Sequence, residues 1–470
     1  MTANLTDLDA TDLAQLIRSQ KVSSVDVVQA HLDRIAEIDP KINAIVTVNE
    51  DALDAAKAAD VLVITNAKDL GPLHGVPFTT KDSIDTADVA TQRGSPIFEG
   101  RVPEVDAVCV ARMKAAGAIL LAKTNLPEFS YSTESNNLLS GLTKNPWDLS
   151  KTPGGSSGGE SAAIAAGLSP MGLGTDLAIS VRGPAAQTGI MALKPTHGRI
   201  PMTGVWPRVP RRFWHVGPMA RSVRDLTLMY AVLAGPDGQD GSSLNTARVD
   251  LGMPNVPSYQ IKMGVLVEPG FGLIDPEVRN TVHAAATALG AAAYRVEPVR
   301  IPALERDFAL DVFVRLHINE MKPAFAEATA GQSDDKIFKI AKGMLSTPET
   351  PMPEFIDAVQ AADRLRDGFA KFFEQYDILL CPVLPIPAHD HDMSSYTVAG
   401  QTLGALNMMA ATVPFNVTGL PALSMRFGTS SGGLPISVQI VGSWLCESTV
   451  LSVARALEVA SPVKDLRPEI

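Results

Sequence analysis

Cysteine is nearly absent from this chain. Cys109, Cys381 and Cys446 are the only three in 470 residues, an odd number spread too widely for a disulfide framework. They read as buried thiols of a reducing compartment, so the expected location is cytoplasmic. Aromatic residues are also scarce, at 5%, which leaves aliphatic and small side chains to fill the core and lets helices pack closely. Long apolar runs are missing: stretches such as Ala115–Ala122 fall far short of the roughly 20 residues that span a bilayer. The opening Met-Thr-Ala-Asn-Leu-Thr-Asp has neither the basic nor the apolar region of a secretory signal. An excess of positive charge is lacking as well. Forty Lys and Arg against 51 Asp and Glu give a net charge of −11, which argues against the basic stripe of a nucleic-acid surface. The expected partner is a small molecule, with neither nucleic acid nor membrane, and a homodimer is compatible with this balance.

What is present is a hydrophobic content of 46% and a charged content of 19%, the composition of a well-buried globular protein. Leu13, Leu16 and Ile17, then Val25, Val28, Leu32 and Ile35, recur at helical spacing and predict two helices within 7–39, the second ended by Pro40. A strand is expected over 42–49, a helix over 50–59, a short strand at 78–82, a helix over 106–116 and a strand at 118–122. A helix at 224–234 precedes a loop over 235–255. A strand at 262–268, a helix over 275–291 and strands at 294–301, 376–385 and 434–441 follow, with a last helix over 447–460. This alternation indicates an α/β protein with a covered sheet. No clear linker appears, so 1–470 reads as a single domain, with its core in 60–235 and a helical cap or pocket wall in 303–376.

Two serine turns stand out, with no histidine between them. Gly154-Gly155-Ser156-Ser157-Gly158-Gly159-Glu160-Ser161 is a glycine-rich turn opening a small-residue helix, where backbone N–H groups could face an anion. Thr175-Asp176-Leu177-Ala178-Ile179-Ser180-Val181-Arg182 is a second polar turn after a short strand. Gly155-Ser156-Ser157-Gly158-Gly159 formally fits a nucleophile elbow centred on Ser157, but that elbow follows a buried strand, whereas 145–153 reads as loop. No Gly-Lys-Ser/Thr ends the glycine run, so it is not a phosphate-binding P-loop. A serine needs a base, and none of the eight histidines has a recognisable triad context. His389-Asp390-His391-Asp392 has the composition of a metal patch but reads as a solvated turn; no metal or cofactor is expected. Lysine can serve as the base if it is held neutral. An ordinary lysine, with a pKa near ~10.4, is only about 0.04% neutral at pH 7. Lys81, at the end of an apolar strand, would be buried and is a candidate for such a base, with Asp82 facing the opposite side, although on these residues alone it reads as an ordinary lysine at a strand end.

Together these segments resemble the amidase signature family. The likeness is carried by Gly71-Pro72-Leu73-His74-Gly75-Val76-Pro77-Phe78-Thr79-Thr80-Lys81-Asp82, Thr152–Ser161, Leu173–Arg182 and Leu193–Arg199. His215–Val223, Pro414–Leu423 and Leu434–Gln439 extend it over about residues 5 to 460. The resemblance implies the amidase signature fold, a large mixed β-sheet covered on both faces by helices. It also implies a Ser–cis-Ser–Lys triad in which the nucleophile follows the first serine of the Gly-Gly-Ser-Ser pair by 24 positions, as Ser180 follows Ser156. Ser180 would carry the acyl group, Ser156 would relay the proton and Lys81 would receive it. Backbone N–H groups of Leu177, Ala178, Ile179 and Ser180 would form the oxyanion hole.

Two departures from the family bear on specificity. Ala178-Ile179 stand where the family has Gly-Gly, and a β-branched residue disfavours positive φ. The turn is therefore expected to have ordinary φ angles, with Ile179 narrowing the acyl site. The second departure is 206–215, Trp-Pro-Arg-Val-Pro-Arg-Arg-Phe-Trp-His, which reads either as a surface loop covering the core or as a substrate-facing wall through Trp206, Arg208 and Trp214. Arg182 is read as support for the turn. The expected activity is hydrolysis of a linear amide, extending to an aryl ester or a carbamate (urethane), through a seryl acyl-enzyme. An amidotransferase-type subunit that releases ammonia from glutamine for a partner, and a degenerate binding protein, are the alternatives.

Overall fold

Strands that are apolar along their whole length, without alternation, belong in a sheet buried on both faces. The computed structural model, which describes residues 4–65, 68–246 and 257–470, has such a sheet. Its eleven strands are β1 (Ile45–Val48), β2 (Pro77–Lys81), β3 (Ile119–Thr124), β4 (Met171–Asp176), β5 (Met191–Lys194), β6 (His215–Ala220), β7 (Lys262–Val265), β8 (Arg295–Pro298), β9 (Ile378–Pro382), β10 (Ala422–Thr429) and β11 (Pro435–Gly442). They lie in the order β1-β3-β2-β4-β6-β5-β10-β11-β9-β7-β8. β2 runs parallel to both β3 and β4, and β7 runs parallel to both β8 and β9. The other pairings are antiparallel, so the sheet is mixed. Every residue of β2, β3, β4, β6 and β11 is buried, the burial expected of a sheet covered on both faces by helices.

The two helices expected at the start form at Ala10–Arg18 and Ser24–Ile42. The second opens on a capping box between Ser23 and Asp26, which satisfies two orphan N–H groups. Pro40 does not end it. The proline sits in the last turn, where the hydrogen bond it removes matters least, and the helix stops at Asn43 in the left-handed region at φ 54°. Helices at Val108–Ala115, Val223–Leu233, Pro276–Ala291 and Glu447–Ala460 match the expected spans closely, whereas the helix expected over 50–59 forms at Ala52–Thr65 and runs six residues further. Residues 235–246 of the expected loop carry no helix or strand, and 247–255 lie outside the described residues. The segment expected to be helical contains Pro302–Arg306, Ala309–Thr329, Lys339–Ser346 and Met352–Phe373.

Three central strands, β5, β6 and β10, are recognisable in the sequence only as motif segments. β6 contains Gly217 and Pro218, residues that argue against a central strand when read alone. The sheet sets where the chemistry can be: Lys81 ends β2, Asp176 ends β4, and the parallel register Thr79–Gly172 and Thr80–Leu173 brings these two ends together.

Candidate active site

The C-terminal ends of β2 and β4 meet the glycine-rich turn. Lys81 is fully buried, and its Nζ lies 2.6 Å from Ser156 Oγ and 2.8 Å from Thr175 Oγ1. Burial pushes the Lys81 amine well below its usual 10.5, against the opposing pull of Asp176 and Glu160. A neutral amine at this position can accept the Ser156 hydroxyl proton while donating to Thr175. The Gly155–Ser156 peptide bond is cis. Asp82 faces away from the site, with a carboxylate oxygen 3.9 Å from Lys123 Nζ and its other oxygen accepting from the Gln92 N–H at 2.9 Å.

Ser157 is not free to attack. Its hydroxyl is buried, 3.3 Å from both the carbonyl oxygen and the N–H nitrogen of Thr175, and its own N–H donates to the Ser180 carbonyl at 3.1 Å. Ser157 thereby ties the two serine turns to each other. The helix it precedes, Gly158–Ala165, follows loop rather than a strand.

The second turn is held by a buried ion pair. Arg182 and Asp176 make two contacts of 3.0 Å, and Arg182 also donates to the Ala178 carbonyl at 3.2 Å, the Thr412 carbonyl at 2.9 Å and Gln439 Oε1 at 2.9 Å. Asp176 further accepts from Asn416 Nδ2 at 2.9 Å and from the Val181 N–H at 3.2 Å. Burial alone would raise the Asp176 pKa, but Arg182 and Asn416 outweigh it and hold the carboxyl below its ordinary value. Arg182 thus supports the turn, as its position in the sequence suggested. None of Leu177, Ala178, Ile179 or Ser180 has a positive φ, so this turn needs no glycine pair. Their four N–H groups find no acceptor among the described residues. Ile179 lies against Gly183, where a Cβ would come within 2.5 Å of its side chain.

Leu177–Ser180 form one wall of a cavity of about 410 Å³. The opposite walls come from Ser130–Glu134, Phe313, Phe338–Ile340, Asp392–Ser394 and the segment around Leu406 and Met409. The helical region 303–376 therefore contributes to the pocket wall through Phe313 and the start of the helix Lys339–Ser346. Trp206, Arg208 and Trp214 are not among the cavity-lining residues. Trp206 packs on Phe98 and Phe129 with ring centroids 6.3 and 5.7 Å away and carries the Arg93 guanidinium at 4.5 Å. Trp214 is 2% exposed, and Arg208 points to solvent. The reading in which this loop covers the core is the one the structure supports. A Pro-bounded aromatic loop has the same composition in either role, which is why the sequence left the choice open.

Glu160 is a buried acid three residues after Ser157, the N-cap position of the helix Gly158–Ala165. The Ser157 side chain makes no cap hydrogen bond to this helix. The Glu160 carboxyl instead meets Thr79 Oγ1 and, at 2.8 Å, Thr124 Oγ1, in space left open by Gly172, where a Cβ would lie 1.7 Å from Glu160 Oε1. Burial raises its pKa to about 8. A carboxyl whose folded pKa exceeds its unfolded value of about 4.3 adds stability that is complete below that value and is lost as pH rises through about 8. Glu160→Gln removes this titration. The stability of the wild type relative to the variant is therefore expected to fall between pH 5 and pH 8 in denaturant melts, whereas a flat difference would mean that Glu160 is ionised throughout.

The family model for amidases matches residues 26–451. The chain belongs to the amidase family. The A subunit of glutamyl-tRNA(Gln) amidotransferase from Symbiobacterium thermophilum is 32% identical over 98% of this chain and 99% of its own length. Its counterpart from Acidothermus cellulolyticus is 34% identical, over 96% of this chain and 94% of its own. Among solved structures, 6-aminohexanoate cyclic dimer hydrolase superposes with a TM-score of 0.88 at 30% identity, covering 99% of both chains. A bacterial aryl acylamidase of the amidase signature family gives a TM-score of 0.85 at 25% identity over 98% of this chain and 99% of its own. The 11-stranded mixed sheet is thus the amidase signature fold. No helix among the described residues is long and apolar enough to cross a membrane.

Proposed function

We propose that this amidase hydrolyses the C–N bond of a linear amide or carbamate through an acyl-enzyme on Ser180. The observation that carries the reading is Lys81, a fully buried amine 2.6 Å from Ser156 Oγ, with no carboxylate in contact among the described residues. In the proposed sequence Ser180 Oγ attacks the carbonyl carbon, Ser156 takes the Ser180 proton, and Ser156 passes its own proton to neutral Lys81. In this reading the N–H groups of Leu177–Ser180 receive the oxyanion, a contribution of about 3 kcal/mol per donor. The proton returns through Ser156 to the leaving amine, and water repeats the sequence to release the acid.

A second reading, an amidotransferase component releasing ammonia from glutamine, is favoured by the whole-length likeness to the amidotransferase A subunits. The cavity favours the first. Its lining is dominated by Leu177, Ile179, Phe313, Phe338, Ile340 and Met409. Among the described lining residues the one cation, Lys339, lies 2.6 Å from Asp392, and Glu134 adds a second carboxylate, so the lining carries more negative than positive charge toward the α-carboxylate of glutamine. A panel of apolar anilides, aryl carbamates and glutamine separates the two readings. Hydrolysis of the apolar substrates by the chain alone, lost in Ser180→Ala by about 10⁴-fold or more, is the expected result. Turnover of glutamine alone would favour the amidotransferase reading, and equal activity of wild type and Ser180→Ala would remove the acyl-enzyme.

A further inference from the structure

Away from the Ser180 cavity, and sharing no lining residue with it, a small cavity of about 20 Å³ is bounded by β10, residues 188–191 and the C-terminal segment 461–468. About 10–15 Å³ is enough for one water-sized particle, so the space admits one. Its lining includes Arg221, Arg426, Lys464 and Arg467, and no acidic residue is among the described residues that line it. Four cations around one small space, with no carboxylate in the lining, form a charge imbalance that the chain itself does not correct.

Arg426 shows the imbalance most sharply. It is 4% exposed, and its guanidinium lies 4.3 Å over the Trp147 ring. Its Nη2 donates to Thr429 Oγ1 at 2.8 Å and its Nε to the Gly428 carbonyl at 3.2 Å. Its Nη1 is buried and has no hydrogen-bond partner among the described residues. No carboxylate among the described residues forms an ion pair with Arg426, Arg221 or Arg467. Burial and the charge of Arg467 draw the Arg426 pKa down to about 10, so the group is still a cation at neutral pH. Arg467 is itself tied in place, its Nη1 donating to the carbonyls of Lys464 at 3.0 Å and Leu466 at 3.2 Å. Arg221 repeats the pattern at 8% exposure: its Nη1 and Nη2 serve the carbonyls of Ile164, Ser169, Thr6 and Leu8, while its buried Nε has no partner among the described residues. Asp9, Asp225 and Asp7 act on Arg221 without pairing with it. Arginine does not shed its proton in proteins, and a buried charge is costly unless something of opposite sign accompanies it. A water could accept from Arg426 Nη1, but it would leave the charge uncompensated.

We propose that this cavity is a binding site for one small inorganic anion of about chloride size, held by Arg426 Nη1 and Arg467 in the field of Arg221 and Lys464. A space that admits one water-sized particle takes a monatomic anion and has no room for the four oxygens of a phosphate or sulfate. The bound ion supplies Nη1 with its missing acceptor and screens Arg426 from Arg467. It thereby fastens the segment 461–468, which carries Lys464 and Arg467, to the strand that carries Arg426. The role is one of stability, independent of which amide or carbamate the Ser180 cavity takes.

Two measurements on the full chain test this. Crystals soaked in sodium bromide, with anomalous data collected at the bromine edge, locate the ion directly. Thermal melts in sodium chloride and in sodium gluconate, whose anion is too large for the cavity, read its effect at an equal ionic strength of about 0.15 M. The wild type is expected to show a bromide peak within hydrogen-bonding reach of Arg426 Nη1 and a Tm higher by about 2 °C in chloride than in gluconate. In Arg426→Gln and in Arg467→Gln both the peak and the difference between the two salts are expected to disappear. Arg467 is exposed, so its variant carries the test even where Arg426→Gln fails to fold. A wild type without the peak, an equal Tm in the two salts, or a chloride gain that survives in Arg467→Gln overturns the proposal and leaves the cavity to water.

Discussion

Lys81→Met is expected to lower kcat/KM by about 10²–10⁴-fold at neutral pH, the range a positioned general base supplies. Methionine has nearly the length of lysine and can occupy the same buried channel, but it cannot take a proton from Ser156. The wild-type profile is expected to rise with pH along a limb lying well below the ordinary lysine value of 10.5, because burial destabilises the ammonium form. In Lys81→Met that limb disappears and the residual rate is flat in pH. A wild-type limb centred near 10.5 would show that Lys81 is charged at rest. It would also mean that the 2.6 Å contact to Ser156 is an ammonium donating rather than an amine accepting.

Arg182→Leu is expected to cost about 3–5 kcal/mol of stability, the range for breaking a buried ion pair from one side. The guanidinium is fully buried and serves Asp176, Ala178, Thr412, Gln439 and Asn416, so its loss leaves Asp176 charged with only neutral donors. Adding Asp176→Leu should recover part of the loss, because two apolar residues leave no uncompensated charge. The pH dependence has a definite sign. The depressed Asp176 pKa contributes stability present above the unfolded value of about 3.9 and lost as pH falls through the lower folded value. The gap between wild type and Arg182→Leu in denaturant melts should therefore narrow on strong acidification. A gap that stays constant would assign the loss to packing rather than to the pair.

Much of this was legible in the sequence, and the remainder was hidden for identifiable reasons. Lys81 and the Ser156 and Ser180 turns stand out as local features, a strand end and glycine spacing, but it is the resemblance to the amidase signature family that gave them their expected roles. Structure adds that Ser157 is occupied with Thr175 and Ser180, which no local pattern states. The strands β5, β6 and β10 lacked the alternation by which strands are recognised, since both of their faces are covered. Most of the pocket wall was out of reach of sequence reasoning, which offered only 303–376 as a helical cap or pocket wall. Tyr131, Phe313, Ile340, Met393 and Met409 are brought together from separate regions of the chain, and none carries a motif. The tryptophans drew attention because they are rare, yet Trp206 and Trp214 pack into the core, Trp206 directly behind Phe129. Glu160 had one signal that could have singled it out: it is the only charged residue between Gly154 and Ala166, a run otherwise of small and apolar residues with no solvent face to receive it.

The central claim is that the nucleophile is Ser180, in a turn whose N–H groups find no acceptor among the described residues, and not either serine of the glycine-rich loop. Labelling the protein with a fluorophosphonate and locating the adduct by peptide mass spectrometry tests this most directly. The account predicts a single adduct on Ser180, formed more slowly in Lys81→Met and absent in Ser180→Ala. An adduct on Ser157 or Ser156 in the wild type would contradict it.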